Sequence, residues 1–175
     1  MVSDLAAELK RITFVTRAIY VAMLFTYPFY YFLLATTVGL HDVSDNKDIW
    51  TLPVIVTAAG VFVLSGLGAY IAHAVFSGAE FYEGRFGKFF KIRIKQNGGI
   101  QPSSIFALYV VALTIIQASS VLLFALSTVL QNAWYYQFFI MPVIFFFAIS
   151  YPKTSKLEEL IKGAERTVQK PGQEQ

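Results

Sequence analysis

The sequence predicts an all-α membrane protein: four antiparallel transmembrane helices, a cytoplasmic interfacial helix between the second and third, and an amphipathic C-terminal helix. Three observations predict it. Four apolar stretches reach the roughly 20 residues (range about 17–25) that cross ~30 Å of hydrocarbon. The 175-residue chain is 56% hydrophobic and only 14% charged, with a mean hydropathy of +0.56. An average soluble domain is about 25% charged, so a surface this poor in charge is not kept in water. Finally, thirteen of the fourteen lysines and arginines fall on one side of the expected membrane, with Lys47 alone on the other. That asymmetry sets the orientation.

The N-terminal segment, residues 1–17, reads as cytoplasmic, with Ser3 and Asp4 placed to cap a short helix through Lys10 that flows into the first span. Span one covers 18–40. Its apolar run is too long for the h-region of a cleaved signal peptide, about 7–15 residues, so we read it as retained. Pro28, inside Tyr27-Pro28-Phe29-Tyr30-Tyr31, predicts a kinked, packed helix. The outer loop holds His41, Asp42, Asp45, Lys47 and Asp48. Its acidic spacing lacks the glycine and terminal glutamate of a calcium loop, so it reads as a short solvated connection.

Span two covers 50–76, with Pro53 in its first turn. Ser65, Ala69, His73 and Ser77, together with Gly68 and Ala72, form small-xxx-small patterns that let a neighbouring backbone approach closely. The neighbour expected by default is another span of the same chain. Self-association through span two is the other partner this pattern suits.

A basic cytoplasmic loop, 77–103, follows. At helical spacing Tyr82, Phe86, Phe89, Phe90 and Ile94 gather on one side, and Arg85, Lys88, Lys91 and Lys95 on the other. This predicts a basic amphipathic helix in the inner headgroup region. The alternative is a short strand over 90–95 into an Asn97-Gly98 turn, but three residues before Pro102 leave little room for a return strand. Arg85, Lys88, Lys91, Arg93 and Lys95 are the expected contacts to anionic lipid headgroups, each worth about 1 kcal/mol near the surface.

Pro102-Ser103-Ser104 is a helix start signal, and span three covers 104–130. Span four, 133–151, is the shortest; Pro142 near its middle predicts a kink, and Pro152 ends it. Trp50, Trp134, Tyr135 and Tyr136 fall where an outer aromatic belt belongs. The tail, 153–175, pairs Ser155 with Glu158 as a capping box. Its stripe of Leu157, Leu160, Ile161, Ala164 and Val168 needs a surface to cover. Both termini are therefore expected inside, in a membrane of bacterial or archaeal cytoplasmic type.

Ionisable groups inside spans are costly and are functional candidates by default. Arg17, His73, Glu80 and Glu83 share the expected inner-leaflet depth and form one candidate polar cluster for an ion, a proton or a lipid headgroup. The competing reading has Arg17 snorkelling to the phosphates and the glutamates in water. Gln117 lies near mid-membrane on span three, as interhelical glue or a transport contact. Cysteine is absent, which excludes disulfides, thiolate metal sites and a cysteine nucleophile. The two histidines, His41 and His73, fall on opposite membrane sides, so one chain does not offer a bis-histidine haem site. No metal-ligand spacing occurs, and no cofactor is expected. Gly84-x-x-Gly87-Lys88 lacks the first half of a P-loop. The net charge of +3 fits the positive-inside pattern, not nucleic-acid binding.

These readings favour a non-catalytic accessory or structural subunit of a larger membrane assembly. A small homo-oligomeric transporter or channel using Arg17, His73, Glu80 and Gln117 is the second reading. A membrane enzyme acting on lipid through His73, Glu80 or Glu83 is the third.

Overall fold

A computed structural model describes residues 2–38, 51–75 and 102–152, with side chains described from Arg11 and, in the third segment, from Ser104. These residues form four helices and no strand: α1 (Val2–Thr37), α2 (Leu52–Val75), α3 (Pro102–Val129) and α4 (Trp134–Ile149). Three sections are long and apolar enough to cross a membrane: Arg11–Thr37, Leu52–Val75 and Ser104–Val129. At 16 residues α4 is shorter. A rise of 1.5 Å per residue gives it about 24 Å, less than the ~30 Å of an average hydrocarbon core.

The expected N-terminal helix is continuous with span one. α1 begins at Val2, so Ser3 and Asp4 lie inside its first turn and not ahead of it. Pro102 opens α3, where the missing N–H of proline leaves no intrahelical bond unmade. The interfacial segment, the outer loop and the tail helix lie outside the described residues.

Two compact units divide the chain: Met1–Arg17 with Ile71–Val110 and Pro152–Gln175, and Ala18–Tyr70 with Val111–Tyr151. In the first, Thr16, Ile71, Ala72, Val75, Ile105, Leu108 and Tyr109 are buried. In the second, each helix contributes a buried stripe at helical spacing: Tyr20, Tyr27 and Leu34 on α1; Val54, Val61, Ser65 and Gly68 on α2; Ala112, Ile116, Ser119 and Leu123 on α3; Tyr136, Ile140, Val143 and Phe147 on α4. Spacings of three, four and seven keep one face inward.

The opposite faces carry phenylalanine. Phe25, Phe32, Phe62 and Phe145 are each more than half exposed. Adjacent rings divide the labour, since Phe147 is fully buried while Phe145 is 62% exposed. In water such a surface would aggregate; hydrocarbon or an apolar partner accommodates it.

The connection between α3 and α4 is built from backbone hydrogen bonds. The Asn132 N–H donates to Ser127 O (2.9 Å) and the Gln131 N–H to Thr128 O (3.2 Å). With Gln131 at φ 51°, this is the Schellman arrangement that satisfies the last carbonyls of a helix. Asn132 Oδ1 then accepts the Trp134 N–H at 2.9 Å, occupying one of the free donors at the start of α4.

Candidate functional site

The expected inner-leaflet cluster is only partly within the described residues. Arg17 on α1 and His73 in the last turn of α2 both belong to the first unit, and both side chains are exposed. Glu80, Glu83, Arg85, Lys88, Lys91, Arg93 and Lys95 lie outside the described residues. Ser65 and Ala69 are buried, whereas His73 is exposed between buried Ala72 and Ala74. Eight residues overshoot two full turns by about 80°, enough to carry His73 out of the stripe.

The close approach expected of the small residues on α2 is made to α3 of the same chain. A Cβ added at Gly68 would lie 2.5 Å from Ile116 Cγ1 and 2.8 Å from Ala112 O. Only a residue without a side chain fits there. At Gly66 the nearest atom is Phe146 Cζ, at an ordinary 3.7 Å, and Gly60 faces open space.

Gln117 makes a cross-helix bond: its Nε2 donates to Thr26 Oγ1 on α1. Thr26 Oγ1 donates in turn to Met23 O at 2.6 Å. The chain amide → hydroxyl → carbonyl uses each group in a compatible sense. Two tyrosines tie α1 to α4. Tyr20 Oη donates to Phe147 O at 3.1 Å, and Tyr136 Oη donates to Tyr27 O at 3.2 Å. Phe147 lies in the last turn of α4, and its carbonyl accepts the Ser150 N–H at 3.1 Å as well as the Tyr20 phenol, so both donors help to close that helix end.

Ring packing accompanies these bonds. Tyr20 stacks on Phe147 at 4.4 Å and meets the edge of Tyr151 at 5.2 Å. Tyr27 meets Phe147 edge-on at 5.4 Å. Tyr30 contacts Phe124 of α3 and Tyr136 of α4 at 5.2 and 6.5 Å. Phe62 of α2 packs on Phe146 at 5.3 Å. Tyr136, expected in an outer aromatic belt, is therefore turned inward and 1% exposed. Tyr135 is buried too, and Trp134 remains half-buried, stacked on Phe138 at 4.9 Å.

Most hydroxyls in the described helices bond the carbonyl one turn back, as Thr16, Thr36, Thr37, Ser120, Thr128 and Ser150 do. Among the described residues four buried polar atoms have no hydrogen-bond partner: Tyr27 Oη, Ser65 Oγ, Gln117 Oε1 and Ser127 Oγ. Sequence reasoning singled out Gln117 and Ser65 but not Tyr27 or Ser127. A tyrosine amid apolar neighbours carries no sign of whether its hydroxyl finds an acceptor.

Among the described residues no group of three or more His, Cys, Asp or Glu side chains is placed to hold a metal ion. Comparison with known proteins finds no matching family model, and no match among curated proteins or solved structures.

Proposed function

We propose that the chain is a four-span integral membrane protein with both termini in the cytoplasm, acting as a non-catalytic accessory or structural subunit of a larger membrane assembly. The observation that carries this reading is how the helices of the second unit divide their side chains. Gln117, Tyr20 and Tyr136 direct polar bonds from helix to helix, while large apolar side chains on all four helices look outward. Polar groups spent as crossties and an aromatic exterior suit a scaffold that packs against lipid and neighbouring subunits.

An up-down-up-down order is supported by the same contacts. Tyr20 meets Phe147 and Tyr151, whereas Tyr30 meets Tyr136. Sequence therefore rises along α1 as it falls along α4. Thr26 pairs with Gln117 and Tyr30 with Phe124, so α1 and α3 run the same way. In this reading α4 is the fourth span, its shortness met by local thinning of the bilayer. The basic segment 77–103 lies against anionic lipid on the inner face.

The test is extraction of the tagged protein from its native membrane into lipid nanodiscs, followed by native mass spectrometry. Foreign membrane subunits in fixed stoichiometry support the accessory reading; a homo-oligomer of this chain alone overturns it. The second reading, a small transporter or channel, draws its support from the unpartnered acceptor of Gln117. It requires loss of flux in His73→Gln or Glu80→Gln variants that fold normally, and unchanged flux in both removes it.

A further inference from the structure

Three of the four unpartnered polar atoms among the described residues belong to one level of the second unit. Gly66 of α2 meets Phe146 of α4. The adjacent Phe147 meets the ring of Tyr27 on α1. Thr26, next to Tyr27, bonds Gln117 of α3. Ile116, next to Gln117, abuts Gly68, which returns the circuit to α2. These contacts close a ring through all four helices, every member of it in the same unit. Ser65, Tyr27 and Gln117 are members or immediate neighbours of that ring. Ser65 is 0% and Tyr27 4% exposed, and Ser65 Oγ, Tyr27 Oη and Gln117 Oε1 are the atoms left without a protein partner. Ser127, ten residues beyond Gln117 on α3, is about 15 Å further along that helix and stands apart.

Hydrocarbon offers no replacement partner, and a buried polar group without one is heavily penalised. Ser65 also has an alternative that it does not use. A hydroxyl in a helix can bond its own preceding turn, as Ser120 and Ser150 do. The three groups are complementary to one small guest: two hydroxyls that both donate and accept, and an amide oxygen that accepts. A buried water takes two to four such partners.

We propose that this ring encloses an internal hydration site in the middle of the bundle, with water bonded to the Tyr27 and Ser65 hydroxyls and to Gln117 Oε1. The site joins α1, α2 and α3 through solvent, where direct side-chain bonds join α1 to α3 and to α4. It also gives the membrane interior a polar point that none of the three side chains supplies alone.

The test uses the full chain in lipid nanodiscs and water-edited solid-state NMR, reading how fast magnetisation passes from water protons to named side chains. Leu34 and Leu113, both 0% exposed, are the dry references. Transfer to the Tyr27 ring and the Gln117 amide several-fold faster than to the two leucines is the expected result. Transfer as slow as to the leucines overturns the proposal. Ser65→Ala removes one partner and slows transfer to Tyr27, whereas Gly60→Ala, facing open space, leaves it unchanged. An equal effect of the two substitutions also counts against the site.

Discussion

Gly68 and Gly60 lie eight residues apart on α2 and carry opposite expectations. At Gly68 a methyl group meets Ile116 Cγ1 and Ala112 O, and the second of these is backbone that moves only with its helix. Gly68→Ala is expected to destabilise the protein by about 1–3 kcal/mol, the usual range for overpacking. Gly60→Ala meets nothing within 4 Å and is expected to be neutral or to stabilise by up to about 1 kcal/mol through helix propensity. Thermal denaturation of both variants in one detergent decides the matter, and equal midpoints would refute the packing assigned to Gly68. Gln117→Leu removes the cross-helix bond to Thr26 and one partner of the proposed water, so its expected cost is about 0.6 kcal/mol for each of the two contacts. The sequence showed the small residues of α2 but not their neighbour, because a glycine permits close approach to any helix. The sequence pattern also does not tell which members of a small-residue series are buried: a four-residue step on a 3.6-residue helix drifts, and two such steps take His73 off the face that buries Ser65 and Ala69.

The turn between α3 and α4 shows what was legible in the elements. The helices, the proline starts and the short uncharged connection at Gln131-Asn132 were all readable from apolar runs and polar punctuation. The left-handed conformation was not, since the position at φ 51° is a glutamine where glycine is the usual choice. Gln131→Gly is accordingly expected to relieve strain and raise stability by about 0.4–1 kcal/mol, less whatever the Gln131 Nε2 bond to Thr128 O contributes. Asn132→Ala removes the acceptor for the Trp134 N–H and is expected to cost about 1 kcal/mol, within the range for helix-start caps. Urea or detergent titration of the two variants checks the opposite signs. The aromatic residues opening α4 were assigned to the outer belt because a phenol suits a membrane interface. It suits a cross-helix bond equally well, and Tyr136 makes one to Tyr27 O. Composition does not distinguish the two uses.

For the molecule as a whole, the membrane class followed from charge scarcity and span-length apolar runs, and three helices of the required length and character bear it out. Of the candidate polar cluster the described residues hold Arg17 and His73, both exposed and in the first unit, while Glu80 and Glu83 lie outside them, so the shared inner-leaflet depth read from the sequence stays an expectation. The central proposal is a four-span topology with both termini inside, and the absence of cysteine makes it directly measurable. Single cysteines replacing Asp45, Lys91, Gln131 and Gln169 can each be challenged with a membrane-impermeant maleimide in intact cells. Labelling at 45 and 131, with 91 and 169 protected until the membrane is opened, is the expected pattern. Labelling of 169 from outside together with 131 would show that α4 does not cross, and labelling of 91 from outside would invert the orientation.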